Sequence, residues 1–446
     1  MLITNANLIT WGPENQILHG YSIYIEGDKI SDIAPDPELA ERYPNAVRID
    51  AGGQFVMPGN ICGHTHFYGA FSRGMGIPGE APKNFPQILD KLWWRLDKAL
   101  NVDDVRSSAL VCLVDAIKHG TTTLIDHHAS PSFIDGSLDV VADAVTKSGL
   151  RASLCYEVTD RDGEEKMRAG VEENVRFIKR NQAQPESRLA ASFGLHASLT
   201  LSESTLEYCR ESIPEESGFH IHAAEGLADQ DDSLAKSGLR VIDRLEKHGI
   251  LGPKSIAAHA IHVDAREIEI LADTGIWVTH QPRSNMNNGV GVAPIESMLR
   301  AGVNVGLGND GFSNTMWDEW KAAYLLHKSK HSDPRRMGGY DVKKLAVENN
   351  AALAKIFFPD APLAEISVGA FADLIFVDYH PFTDLNAGNL PWHILFGFNE
   401  SMITTTIVGG EILMKDRELL TLDEEEIAAK AREFSAQTWK RYEELA

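Results

Sequence analysis

Eight short apolar runs, each followed by a longer stretch of helical periodicity, constrain this chain more than any other feature. The runs occupy 54–61, 122–125, 151–156, 190–195, 218–221, 255–258, 276–279 and 303–308. Helical patterns such as 102–119, 170–180, 239–248 and 265–274 lie between them. A strand that alternates with a helix must run parallel to its neighbour, and eight such units can close on themselves. The expected fold class is therefore α/β, a (β/α)8 barrel, in which active-site groups collect at the C-terminal ends of the strands.

The residues that follow the runs have that character. They are His64 and His66, Asp126 with His127, Glu157, His196, His222, His259, His280 and Asp310. Seventeen histidines among 446 residues would rarely fall so by chance. Imidazole and carboxylate together suit zinc or iron, whose catalytic sites keep a position open for water. In Gly63-His64-Thr65-His66 the two imidazoles are two residues apart, so a continued strand turns both to the same side, where they can share one ion. For His127, His128, His262 and His280 the plain alternative is a hydrogen-bonded pocket imidazole.

His222-Ala223-Ala224-Glu225 offers a third imidazole and, three residues on, a carboxylate that can move a proton between water and a leaving nitrogen. Its alternative is a surface glutamate opening the next helix. His259 closes its apolar run and is better placed than His262 to polarise a substrate. Asp310, flanked by Gly308 and Gly311, could bind the ion and take a proton from its water.

The ends of the chain have another texture. Residues 3–9, 21–26 and 29–33 near the start, and 372–378 and 403–408 near the finish, read as short strands; a Gly409-Gly410 turn follows the last. Two β-rich pieces can pair into one small domain. The expected division is 1–57 and 365–422 as halves of a β-sandwich, 58–364 as the barrel, and 423–446 as a closing helix.

Net charge is −22, from 42 basic and 64 acidic side chains, which argues against nucleic acid or an anionic membrane as partner. The four cysteines show no paired spacing, as expected for reduced thiols in the cytoplasm. The opening residues have no leader pattern, and no run approaches the ~18 apolar residues of a membrane span.

These residues resemble the amidohydrolase superfamily, in its metal-dependent deaminase and chlorohydrolase branch. The likeness runs from Val56-Met57-Pro58-Gly59-Asn60 through His64-Thr65-His66, Gly120-Thr121-Thr122-Thr123, the 222–225 stretch, His259, the Asn285 loop and Asp310 to Ala372-Asp373-Leu374. More narrowly, Trp93-Trp94-Arg95-Leu96-Asp97, the 125–131 stretch and the 155–163 stretch are similar to the aminohydrolases called SsnA. The resemblance implies one divalent ion, zinc or alternatively iron, held by His64, His66, His222 and Asp310. It implies that His259 stands nearby and that Glu225 and Asp310 carry protons during hydrolytic deamination of a heterocyclic amine. It also implies a small-molecule substrate and a homo-oligomer, a dimer. Arg73 and His196 are the candidate substrate contacts. Many relatives have His-Ala-Pro-Tyr where this chain has His196-Ala197-Ser198-Leu199, and threonine where it has Asn309. Both positions are expected to shape the substrate pocket.

Two other readings compete. Cyclic amidohydrolases that open hydantoin-type rings bridge two ions with a carboxylated lysine ending the fourth strand, but 190–196 contains no lysine. A non-catalytic subunit of the same fold would have no chemical need for these ligands or for Glu225. The stretch 74–79 matches GxGxxG but contains Pro78 and opens no helix, so dinucleotide binding is not expected.

Overall fold

The computed structural model describes residues 1–446. Five strands precede the barrel: β1 (Leu2–Ile9), β2 (Ile17–Glu26), β3 (Lys29–Pro35), β4 (Arg48–Asp50) and β5 (Phe55–Pro58). The barrel follows in β6 (Asn60–Thr65), β7 (Thr121–Asp126), β8 (Arg151–Leu154), β9 (Leu189–Ala191), β10 (Phe193–Ala197), β11 (Phe219–Ala223), β12 (Ile256–His259), β13 (Trp277–His280) and β14 (Asn304–Leu307). Every neighbouring pair in the orders β6-β7-β8-β9 and β10-β11-β12-β13-β14 is parallel. β9 and β10 are one bent fourth strand: Ser192 N donates to Leu154 O, and His196 N then donates to Val158 O just beyond β8.

The ring closes between the last strand and the first. Gly308 N continues the β13–β14 pairing by donating to His280 O at 2.9 Å, and Asn309 N and Asp310 N then cross to the first barrel strand, both donating to His64 O, at 2.9 and 3.1 Å. A Cβ on residue 308 would lie 2.7 Å from that same oxygen, so only glycine permits the approach.

The run at 54–61 is two strands rather than one. Phe55–Pro58 pairs with β1 and with a strand near the end of the chain, whereas Asn60–Thr65 enters the barrel. The chain changes sheets at Gly59, where a Cβ would stand 2.2 Å from the Thr122 methyl.

After the barrel come β15 (Leu374–Val377), β16 (Ile403–Val408), β17 (Glu411–Lys415) and β18 (Glu418–Leu419). They join the first strands in one nine-stranded sheet, ordered β18-β17-β16-β15-β5-β1-β2-β3, with β4 on β1. Its core draws Ile3, Leu8, Ile23 and Val56 from one end and Leu374, Phe376 and Ile407 from the other. The fold is thus a barrel with a β-sandwich built from both termini.

A buried ion pair ties the two units together. Arg151, at the start of β8, donates to both oxygens of Asp373 at 3.0 and 3.2 Å, and Gly409 N donates to the same carboxylate. Neither side chain of the pair is more than 3% exposed. The final helix, Glu424–Glu444, lies across the barrel: Thr438 donates to Asp104, Trp439 Nε1 to Phe71 O, and the Tyr442 hydroxyl to Lys91 O. All four cysteines are free, and no helix is long and apolar enough to cross a membrane.

Removing one partner of a buried pair leaves the other charge uncompensated, at about 3–5 kcal/mol. Asp373→Asn should lower the stability to urea by that order, and equilibrium unfolding measures it.

Candidate metal centre

β6 ends with His64 inside the barrel and His66 just beyond the strand, and the two ring planes stand at 84° with centroids 4.8 Å apart. β11 contributes His222, β12 contributes His259, and the turn after β14 contributes Asp310. Their polar atoms converge: His64 Nε2 lies 3.0 Å from Asp310 Oδ1, His66 Nε2 lies 3.1 Å from the same oxygen, and His66 Nε2 lies 3.1 Å from His222 Nε2. Ligand bonds of ~2.0–2.1 Å at a tetrahedral angle place donor atoms about 3.3 Å apart. The three histidines are at most 8% exposed, so their nitrogens face one another in a place poor in water. The donor set and spacing fit a divalent ion.

The rings are held from behind. His64 Nδ1 meets His220 Nε2 at 2.9 Å, His66 Nδ1 donates to His127 O at 2.6 Å, and His222 Nδ1 donates to His196 O at 2.9 Å. For His66 and His222 a backbone carbonyl at Nδ1 fixes the tautomer and leaves the Nε2 lone pair free for the centre. Burial, the largest influence, drives the protonation of His64 and His222 well below the usual imidazole range; at His66 burial acts the same way, but the carboxylates of Asp310 and Glu157 outweigh it and push the imidazole up to about 9.

Two carboxylates beside the centre differ in proton affinity. Burial raises the Glu225 carboxyl to about 7. Burial also acts to raise Asp310, but the imidazoles of His259, His64 and His66 outweigh it and hold that carboxyl well below its usual range. His259 stands between the two. Its Nδ1 donates to Asn285 Oδ1 at 2.9 Å, while Nε2 faces Glu225 Oε2 at 3.5 Å and Asp310 Oδ2 at 3.8 Å. Asp310 Oδ2 also accepts the Ser284 hydroxyl, and Glu225 Oε1 accepts Asn288 Nδ2. Two carboxylates with separated affinities can divide acid and base work between them.

The strand ends are strained where these residues leave the sheet. Ala224, His259, Ala260 and Asp310 have φ of 50°, 75°, 46° and 57°, a region costing about 1–3 kcal/mol for residues other than glycine. Local hydrogen bonds hold them there: Ala260 N donates to Ala223 O, and Ala224 N to Asp229 Oδ2. Asp229 also accepts Leu199 N, so one buried carboxylate fixes both the turn carrying Glu225 and the loop after His196.

Over the centre lies a cavity walled by Tyr68, Phe85, Leu89, Trp93 and Trp94 and floored by His66, His222, Glu225 and Asp310. His196 lines it too. The Thr200 hydroxyl gives its proton to Ala197 O and so accepts from His196 Nδ1, which leaves Nε2 as an acceptor. Arg73 is elsewhere: exposed, it lines a neighbouring cavity with Asp115 and His119 that meets the first at Trp93, Asn288 and Asp310. Asn309 does not line the substrate cavity, contrary to expectation. Its amide is spent on the turn, donating to Asn314 Oδ1 and accepting from Gly311 N. Ala197 and Leu199, at the other departure from the family pattern, do line it.

Of the remaining histidines, His128 contacts Ser130, His262 donates to Val290 O and His280 meets His327, all away from the convergence. Sequence reasoning missed Asp229, Ser284, Asn288 and His220, which hold the site together. It also missed the aromatic wall at Phe85 and Trp94. A buried acidic residue four positions after Glu225 leaves no periodic signal, and the aromatics open two short helical turns, Phe85–Ile88 and Trp94–Ala99, too short to show an amphipathic period.

A parallel barrel with imidazoles and a carboxylate converging at its C-terminal mouth is the architecture of a metal-dependent hydrolase. Comparison with known proteins gives it a family. Residues 55–413 match the Amidohydrolase family. The chain is 32% identical over 437 residues to the 5'-deoxyadenosine deaminase of Methanosarcina acetivorans, covering 97% of this chain and 96% of that one. It is 32% identical over 451 residues to the 5-methylthioadenosine/S-adenosylhomocysteine deaminase of Acetivibrio thermocellus, covering 98% of each. Among solved structures, an adenosine deaminase from Xanthomonas campestris with bound zinc superposes with a TM-score of 0.85 at 22% identity, over 98% of each chain. The chain belongs to the amidohydrolase family, in its deaminase and chlorohydrolase branch.

An Ala at position 229 would leave the N–H groups of Ala224 and Leu199 without their acceptor, at about 1–3 kcal/mol for each buried group. Asp229→Ala should therefore lower the thermal midpoint and, by loosening the Glu225 turn, reduce kcat/KM; calorimetry and steady-state kinetics check the two effects.

Proposed function

We propose that this chain is a zinc-dependent deaminase of adenine-type nucleosides or closely related amino-heterocycles, with one ion held by His64, His66, His222 and Asp310. The convergence of those four buried groups beside a second carboxylate, Glu225, carries the reading. The names of the deaminase relatives, and the zinc in the superposed adenosine deaminase, support it. Ferrous iron would suit the same donors.

A bound divalent ion lowers the pKa of its water from 15.7 towards ~7 and so supplies a nucleophile at neutral pH. The side chains do the rest. Asp310, ionised, accepts a proton from the attacking water. Glu225, whose carboxyl burial pushes up to about 7, carries a proton to the amine nitrogen. The C–N bond then breaks, ammonia leaves with the bonding pair, and the proton left on the added oxygen passes to the ring nitrogen, so that a carbonyl remains on the ring. His259, with Nδ1–H fixed on Asn285, turns Nε2 towards the reacting centre, where a proton on it polarises a ring nitrogen or oxygen. The flat faces of Tyr68, Trp93 and Trp94 suit a heteroaromatic ring.

Within the branch we place the chain nearest the SsnA aminohydrolases. Two of the three segments that carry this likeness meet behind the cavity wall: Arg161 Nη2 donates to Asp97 Oδ2 at 2.7 Å, and its guanidinium lies 5.0 Å from the Trp94 ring centre. Ring opening by two ions is disfavoured, since neither β9 nor β10 contains a lysine.

Ammonia release should be measured on 5'-deoxyadenosine, 5-methylthioadenosine and S-adenosylhomocysteine beside free purines, pterins and hydantoins. Deamination of a nucleoside or amino-heterocycle is the expected result. Ring opening without ammonia would reverse the assignment. Glu225→Gln should cut kcat by about 10²–10⁴-fold while metal content stays constant; undiminished turnover would remove Glu225 from proton transfer. Chelation should abolish activity, and added zinc should restore it.

A further inference from the structure

One buried imidazole at the centre has no employment in the scheme above. His127 follows β7, is fully buried, and neither ring nitrogen has a hydrogen-bond partner. Buried polar atoms are almost always satisfied, and an orphan costs about 1–3 kcal/mol. One of its nitrogens belongs to a tight group with those of His64, His66 and His222, all within 4.8 Å of one another. A second group of the same tightness contains His64, His222, His259 and Asp310. The two groups share His64 and His222, so the donor set extends on one side to His259 and Asp310 and on the other to His127. Asp310 lines the substrate cavity, whereas His127 does not.

Behind His127 stands a carboxylate that is also without a role. Glu157 is 2% exposed, and its Oε1 has no hydrogen-bond partner. That oxygen lies 3.4 Å from His127 Nδ1 and 3.3 Å from His66 Nδ1. His66 Nδ1 is committed to a carbonyl at 2.6 Å, so the proton nearest to Glu157 is one on His127 Nδ1. His220 packs flat against the His127 ring, with centroids 4.4 Å apart and planes 16° from parallel, and limits its tilt. A carboxylate on one imidazole nitrogen with a metal on the other is a common outer-shell arrangement, which fixes the tautomer and makes the ligand more basic.

We propose that His127 is a further ligand of the metal centre, presenting Nε2 to the ion while Glu157 orients it through Nδ1. The inference rests on the metal-centre reading and enlarges its ligand set beyond the four residues named there. It gives the buried carboxylate of the third strand end a positioning task, and it gives each unsatisfied nitrogen of His127 a partner, the ion for Nε2 and Glu157 for Nδ1.

Cobalt(II) substitution tests it without reference to turnover. The visible d–d absorption of cobalt strengthens as coordination number falls, so His127→Gln should absorb more strongly than the wild-type chain. Competition with a chelator should show Glu157→Gln holding cobalt about 10–100-fold more weakly than wild type, and His127→Gln weaker still. An unchanged spectrum and affinity in folded His127→Gln, with wild-type protein taking up one ion, would overturn the role of His127 and leave the centre standing. Should that variant not fold, the isosteric Glu157→Gln decides by the same two readouts, and no change in either overturns the proposal. Wild-type protein that takes up neither cobalt nor zinc would overturn both this inference and the centre on which it rests.

Discussion

The carbonyl oxygen of His64 is the point on which the molecule closes. It accepts the N–H groups of Asn309 and Asp310, and so joins the first barrel strand to the turn after the last. The same residue aims its imidazole at the carboxylate that arrives with that turn, 246 positions along the chain. Barrel closure and assembly of the donor set are one event. A strand-first, carboxylate-last arrangement can meet only if the sheet curls fully round, and Gly308 is the residue whose missing Cβ lets the backbones touch. The sandwich reinforces this closure from outside, since it too is made of both chain ends and is pinned to β8 through the Arg151–Asp373 pair.

Closure concentrates groups that would repel or go unsatisfied elsewhere. Five imidazoles, those of His64, His66, His127, His220 and His222, lie with neighbouring centroids 4.4–5.7 Å apart, and three carboxylates, of Glu157, Glu225 and Asp310, stand beside them. Dry surroundings favour the neutral form of His64, His127, His220 and His222, whereas Asp310 and Glu157 beside His66 favour its charged form, a place that a bound cation can take over. The strand ends accept unfavourable φ at Ala224, His259, Ala260 and Asp310 to aim these side chains, and a surrounding net of hydrogen bonds, with Asp229 at its centre, keeps them there. Pre-set donors need little rearrangement when charge develops, which is where such sites gain most of their catalytic power.

Much of this was legible in the order of residues. A parallel strand between two helices is buried on both faces, so it writes itself as a continuous apolar run; eight of them spelled the barrel, and the polar residue after each marked the mouth. His64, His66, His222, His259 and Asp310 were readable because strand ends are local events with a local signal. The sheet change at Gly59 was not: apolar residues continue across it, and only the partners differ. The fate of Arg73 and Asn309 was equally hidden, because a loop side chain can face a cavity, a neighbouring turn or solvent with the same sequence around it.

What the sequence determined by itself was therefore periodic or adjacent: the strand–helix alternation, the paired β-rich ends, and the chemical type of each group at the mouth. Tertiary structure alone decided the pairwise geometry. It brought His66 Nε2 within 3.1 Å of both His222 and Asp310, set Glu157 against His127, joined Asp97 of the cavity wall to Arg161 behind it, and made Asp229 the brace of two turns. Apart from the short Ala224–Asp229 link, those contacts span tens to hundreds of residues. They arise from the curvature of a closed sheet, which a one-dimensional pattern of polarity can imply but cannot measure.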